Sequence, residues 1–255
     1  MRFASLASGS EGNALVVESG STRIMLDCGL GLKETVSRLN RLSLAPDDLS
    51  GILVTHEHED HASGVVRFAK KYDIPVWLTY GTYKSDEKAY STLSRLSVLE
   101  GYRRFGIGEI EMEPFPVPHD AREPVQFVFG DGAKRLGVIT DLGSSTPHVE
   151  SLLSGCDALV IECNHDSGML ARSAYPPSLI RRISGRLGHL DNESASRLLE
   201  RLDQSRLQHV IAAHLSQKNN TPGLAKSALC RAMGCDEEWI GIACQHQGFG
   251  WRQIL

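Results

Sequence analysis

His56-Glu57-His58-Glu59-Asp60-His61 directly follows the apolar run Ile52-Leu53-Val54-Thr55. A short apolar run ending abruptly in polar residues reads as a buried strand that empties into a loop. A loop leaving a strand can aim alternate side chains to one side, so His56 and His58 can grip one ion. Asp60 and His61 then turn towards a second position. Two cations about 3.5–4 Å apart make a site that activates water and stabilises a displacement. Nitrogen and oxygen donors without thiolate suit zinc, manganese or iron, not a closed cysteine site. The alternative is a histidine-rich surface loop, which suits a lone His better than this spacing behind a strand.

Further donors lie downstream, each just past a strand-like stretch, where loops carry chemistry on a rigid scaffold. Pro118-His119-Asp120 follows Ile110 to Val117. Val138-Ile139-Thr140-Asp141 ends in a carboxylate, Val210-Ile211-Ala212-Ala213-His214 in a histidine, and Arg23-Ile24-Met25-Leu26 runs into Asp27. Taken singly, each is as easily a surface or capping residue. Their order and common context raise them together.

His-x-His-x-Asp-His resembles the signature of the metallo-β-lactamase-fold hydrolases. The resemblance implies an α/β fold, a four-layer αββα sandwich, spanning 1–255 as a single domain with a dinuclear centre at one edge. It implies that His56, His58 and His119 hold one metal and Asp60, His61 and His214 the other, with Asp141 bridging. Asp27 would orient a ligand without binding metal. Thr140-Asp141 stands where classical β-lactamases supply a cysteine, so lactam hydrolysis is not expected. The interval from Asp141 to His214 reads as two helices and a strand, leaving no room for the inserted cap of some nucleases. Leu6-Ala7-Ser8-Gly9-Ser10-Glu11-Gly12-Asn13, Glu162-Cys163-Asn164-His165-Asp166, Gly188-His189-Leu190-Asp191-Asn192 and His214-Leu215-Ser216 resemble the bacterial YycJ/WalJ-like group. That group is phosphodiesterase-like, related to ribonuclease Z and the cyclic-phosphate phosphodiesterases, with 5′-to-3′ DNA exonuclease activity attributed to it. His189 is similar in position to a catalytic histidine of the ribonuclease Z relatives, with Glu162 as its orienting partner. His165, on the same loop as Glu162, is either near the site or structural.

The implied reaction is metal-assisted phosphodiester hydrolysis. Two divalent ions would lower the pKa of a water, Asp60 would hold or accept its proton, and His189 would protonate the leaving oxygen. Two other functions use the same ligand set: hydrolysis of another ester, such as a thioester of the glyoxalase II kind, and a non-enzymatic metal-dependent sensor or binding module.

Composition fits one globular enzyme: 41% hydrophobic and 23% charged residues over 255. No charged segment followed by an apolar h-region opens the chain, so no signal peptide is expected. No apolar run approaches bilayer length, so no membrane partner is expected. The six cysteines include no Cys-x-x-Cys pair, which suits reduced thiols in a cytoplasm. Cys230 and Cys235 read as packing residues, whereas Cys163 sits inside a motif loop. Nothing in the sequence specifies an oligomeric state.

A net charge of −4 argues against broad coating of nucleic acid but permits local binding. Arg172, Arg181, Arg182 and Arg186 lie between Asp166 and Asp191 with no acidic residue among them. They are either a wall of a phosphate-backbone groove or a solvated helix face. Arg181 and Arg182 are the substrate candidates. Ser8 to Asn13 reads as a tight turn, placed by the resemblance near the active site. His148, His209 and His246 read as structural or exposed.

The pattern predicts helices near 32–43, over Ala62–Tyr72, across the polar 81–97, from Asp191-Asn192 to about Leu202, and from Thr221-Pro222 to Met233. Strands are predicted at Ile74–Thr79 and in a hairpin over Gln126–Thr140 turning at Gly130-Asp131-Gly132. Leu152–Glu162 passes from helix to strand, and Trp239–Leu255 has strand composition.

Overall fold

A computed structural model describes residues 1–255. The first half runs β1 (Arg2–Ala7), β2 (Ala14–Ser19), β3 (Thr22–Leu26), α1 (Leu32–Arg41), β4 (Gly51–Leu53), α2 (Glu59–Ala62), α3 (Val65–Tyr72), β5 (Val76–Thr79), α4 (Tyr80–Ser85), α5 (Glu87–Tyr90) and β6 (Leu96–Leu99). The second runs β7 (Phe105–Ile107), β8 (Ile110–Pro116), β9 (Val125–Gly130), β10 (Arg135–Ile139), α6 (Pro147–Leu153), β11 (Ala158–Glu162), α7 (Ser167–Ala171), α8 (Pro177–Ile183), α9 (Asn192–Arg201), β12 (His209–Ala213), α10 (Pro222–Met233), β13 (Ile240–Ile242) and β14 (Phe249–Gln253).

The strands form two seven-stranded sheets, ordered β14-β1-β2-β3-β4-β5-β6 and β13-β12-β11-β10-β9-β8-β7. Their inner faces meet. Along β2, Leu15 and Val17 enter the core between the sheets, while Ala14 and Val16 face the helices outside. Along β11, Ala158 and Val160 point inward and Leu159 and Ile161 outward. Because side chains alternate across a strand, a continuous apolar run can feed two cores at once. The result is the expected αββα sandwich, with α1 and α3 on one outer face and α6, α9 and α10 on the other.

The two sheets repeat one topology. β1-β2-β3 are antiparallel and β3-β4-β5-β6 parallel; β8-β9-β10 and β10-β11-β12-β13 repeat that pattern. Asp27 and Asp141 therefore occupy equivalent stations, each just beyond the strand where pairing switches from antiparallel to parallel. Ligand-binding loops of α/β sheets gather at the carboxyl ends of parallel strands, and here β3, β4, β10, β11 and β12 all end at one rim.

Several local expectations differ. The predicted helix at 62–72 is broken at Gly64, whose N–H donates to the Cys28 carbonyl, so α3 starts afresh at Val65. The polar stretch 81–97 holds two one-turn helices and the start of β6, because Asp86 caps a new helix by accepting from the Ala89 N–H. Between Asp141 and His214 there are four helices, α6 to α9, where two were expected. The C-terminal stretch divides between the sheets: β13 pairs with β12, and β14 returns to pair with β1.

Candidate metal centre

The candidate residues converge at that rim. Asp27 follows β3, His56 to His61 follow β4, His119 sits between β8 and β9, and Asp141 follows β10. Glu162 ends β11 and His214 follows β12. Two of these positions are left-handed: Asp27 at φ 60° and His214 at φ 53°. That conformation costs a non-glycine residue about 1 kcal/mol or more, so the surroundings must hold it. They do. His214 N–H donates to Ser8 Oγ (2.8 Å), and its carbonyl accepts from Asn164 Nδ2 (3.1 Å). Asp27 N–H donates to the Leu53 carbonyl (2.8 Å).

Three imidazoles form the first donor group. His58 Nδ1 lies 3.0 Å from His56 Nε2 and 3.2 Å from His119 Nε2. A second group joins Asp60, His61 and His214: Asp60 Oδ2 is 3.4 Å from His61 Nε2 and 3.1 Å from His214 Nε2. Asp141 stands between them. Its Oδ2 is 3.0 Å from His61 Nε2, and its Oδ1 is 3.8 Å from His119 Nε2.

The outward nitrogens explain the convergence. His119 Nδ1 is 3.0 Å from the Gly188 carbonyl, which can only accept, so Nδ1 carries the proton and Nε2 presents a lone pair. His61 Nδ1 is 2.7 Å from Asp27 Oδ2 and His214 Nδ1 is 3.3 Å from Glu162 Oε1. Thr55 Oγ1 lies between Asp27 and His56 Nδ1, 2.9 Å from each. Outer partners of this kind turn metal-binding rings and raise their basicity. Asp141 Oδ2 is buried and accepts no well-aligned hydrogen bond, although it faces His61. Lone pairs that face one another around an unpartnered carboxylate oxygen are what a divalent cation would satisfy, and the all-nitrogen-and-oxygen set suits one.

The electrostatics agree. Burial opposes charge on His214, but Asp141 and hydrogen bonds to Asp60 and Glu162 outweigh it and push its pKa up to about 10. His61, against the same burial, is raised by Asp141, Asp60 and Asp27. Burial opposes charge on Asp141 and Asp60 as well, but these histidines outweigh it and lower both. His56 and His119 are lowered, mainly by burial.

His189 joins a further cluster with Asp141, Glu162 and His214, its Nδ1 3.6 Å from Asp141 Oδ1. Its Nδ1 is 2.6 Å from Glu162 Oε1, while Glu162 Oε2 accepts from the Leu142 and Leu190 N–H groups (2.8 and 3.1 Å). Burial depresses the His189 pKa, but Glu162 raises it overall. His189 borders a cleft of about 360 Å³ together with His58, Asp60, Asp141, His214 and Arg182. His165 is buried outside this cleft, with Nδ1 against Asn164 Oδ1 at 3.2 Å. Cys163 is fully buried, and burial raises its thiol pKa, which leaves it a packing group.

The arginines separate. Arg182 borders the cleft and pairs with Asp120, whereas Arg181 is exposed on the same helix, away from the cleft lining. Arg186 does not line the cleft, and Arg172 borders a neighbouring recess. The resemblance places the Ser8–Asn13 turn near the active site but does not single out Asn13. Its Nδ2 reaches the Asp60 carbonyl (3.2 Å) and Oδ2 (3.3 Å), tying the Ser8–Asn13 turn to the centre. Nor is Gly29 singled out: a Cβ there would lie 1.8 Å from the Asp60 carbonyl oxygen. The signal for Asn13 was a polar residue in a turn between two strands, which does not reveal its partner.

The sequence model of a family described as "Beta-lactamase superfamily domain" matches residues 22–214. Exodeoxyribonuclease YycJ of Bacillus anthracis is 35% identical over 246 residues, 95% of this chain and 92% of that protein. Exodeoxyribonuclease WalJ of Streptococcus pneumoniae is 31% identical over 245 residues, 94% and 91% of the two chains. In structure, the metallo-β-lactamase fold protein YhfI of Bacillus subtilis superposes with a TM-score of 0.76 over 99% of both chains at 13% identity.

Proposed function

The chain belongs to the β-lactamase superfamily, in the group that holds the YycJ and WalJ exodeoxyribonucleases, and from that membership we propose a dinuclear-metal phosphodiester hydrolase that degrades DNA from a strand end. The observation that supports it best is the position of Asp141. Its carboxylate reaches both donor groups, with Oδ2 3.0 Å from His61 Nε2 and Oδ1 3.5 Å from His214 Nδ1 and 3.8 Å from His119 Nε2, and Oδ2 accepts no well-aligned hydrogen bond. We assign His56, His58 and His119 to one divalent ion, Asp60, His61 and His214 to the other, and Asp141 to both. Zinc or manganese suits these donors, and iron is compatible. Two such ions, when bound, would supply Lewis-acid activation of water and stabilise charge on the phosphoryl oxygens.

The chain's own residues then do the following. Asp60 stays a carboxylate and orients the attacking water by accepting its hydrogen bond. His189, kept protonated by Glu162, donates a proton from Nε2 to the leaving oxygen. Asp27 and Thr55 hold His61 and His56 in register. Arg182 offers its guanidinium to a phosphate beside the cleaved one, exchanging Asp120 for it.

The test combines metal analysis with hydrolysis of bis-p-nitrophenyl phosphate and end-labelled DNA and RNA, after reconstitution with manganese or zinc. Two metals per chain with phosphodiester turnover are expected. Turnover of an acyl-thiol substrate alone, or full metal loading without hydrolysis of any substrate, would overturn the reading.

A further inference from the structure

Beside the metal cleft lies a second recess, of about 420 Å³, bordered by Arg172, Ser173, Tyr175, Lys218 and Asn219. Tyr175 borders both cavities, so the two adjoin. The size falls in the roughly 300–1,000 Å³ range of small-molecule sites.

Its chemistry is specific. Tyr175 is half-buried, and Lys218 Nζ sits 5.5 Å from its ring centroid. Arg172 and Lys218 both stay out of the protein's ion pairs, in contrast to Arg182 on the next helix, which is held by Asp120. Asn219 is built in: it is 2% exposed, its N–H donates to Ser216 Oγ (3.2 Å), and its carbonyl accepts from the Asp166 N–H (2.8 Å). Yet its side-chain Oδ1 accepts no hydrogen bond. A buried amide is normally satisfied, so this one has bonding capacity left for a ligand.

An aromatic face, an uncommitted amide and two free cations match the three parts of a nucleotide. A base can stack on the ring, an Asn amide can pair with an adenine edge, and the cations can neutralise phosphate. Resting on the function proposed above, we infer that this recess seats the terminal nucleotide of the DNA strand and so delivers the adjoining phosphodiester to the metals. A recess of single-nucleotide size next to the cleft measures one step from an end, which is what exonucleolytic action requires.

Deoxyadenosine 5′-monophosphate titrated into the metal-loaded protein tests this directly, by calorimetry and without any turnover. Arg172→Ala/Lys218→Ala and Tyr175→Ala should each weaken binding about tenfold or more. Tyr175→Phe, which keeps the aromatic face, should bind like the wild type and so controls for folding. Inorganic phosphate should bind more weakly than the mononucleotide. Equal affinity in the wild type and both weakening variants would place the nucleotide at the metals and overturn the inference, as would equal affinity for phosphate and mononucleotide. Failure of the function reading shows elsewhere: a metal-loaded wild type that hydrolyses neither DNA nor bis-p-nitrophenyl phosphate sinks that reading, whatever the titration gives.

Discussion

Asp27 Oδ2 lies 2.7 Å from His61 Nδ1, and this contact turns His61 Nε2 towards Asp60 and Asp141. Asp27 holds that position from a left-handed backbone at the end of β3, while its other oxygen, Oδ1, accepts from the Thr55 N–H (2.8 Å). One carboxylate thus sets a ring 34 residues away and the loop that carries it.

Asp27→Asn is therefore expected to keep the fold and lower metal affinity by about 10–100-fold, the usual effect of removing an outer partner. Competition with a zinc chelator measures it. Unchanged affinity would mean that packing alone orients His61.

Asp141→Ala should lose activity together with metal from both positions, because the carboxylate faces both donor groups. Metal content by mass spectrometry reads the outcome. Near-normal occupancy at both positions in the folded mutant contradicts the bridging role.

His189→Ala should retain metal and lower kcat on DNA by about 10²–10⁴-fold, the typical contribution of a general acid. With p-nitrophenolate as leaving group the loss should shrink, since that group needs no proton. Glu162→Gln should also shift the alkaline limb of the kcat profile downward in pH, because Glu162 is the main support of the raised His189 pKa. Loss of metal in His189→Ala would make it a ligand instead.

Metal uptake near neutral pH should release protons. His214 is raised to about 10 and His61 is raised as well, so both carry protons that a cation must displace. Apparent affinity should therefore climb as pH rises towards 10. The same groups set the stability of the metal-free protein. A raised histidine pKa stabilises fully below the unfolded value of 6.5, and that contribution fades as pH rises through about 10. Calorimetry in buffers of different ionisation enthalpy counts the protons; a buffer-independent heat would refute proton displacement.

Gly29→Ala should disturb the centre although residue 29 bears no donor. The added Cβ would press on the Asp60 backbone, which cannot yield without moving His61. Reduced metal affinity with a lowered Tm is expected. A variant equal to wild type in both would show that the loop relaxes freely.

Much of this was legible in the chain. The donors could be read because the decisive spacing is local: His56, His58, Asp60 and His61 share one loop behind one short strand. His119, Asp141 and His214 were marked because apolar runs end at polar residues only where a strand leaves the core. The αββα layering, by contrast, was implied by resemblance, not by pattern. A fully buried strand such as β11 shows no polar alternation to say which side faces the other sheet. The helix break at Gly64 is hidden for a related reason: the Cys28 carbonyl, distant in sequence, overrides local propensity.

The sequence by itself marked the candidate metal donors and the order in which they come. Tertiary structure alone decided how the rings of His61, His119 and His189 are turned, because that depends on Asp27, Gly188 and Glu162, acceptors 27 to 69 residues from the rings they hold. It also decided that Asn13 touches Asp60, and that Arg182 borders the cleft while Arg181, its neighbour, does not. Successive helical residues point about 100° apart, so only packing selects the one that meets the site.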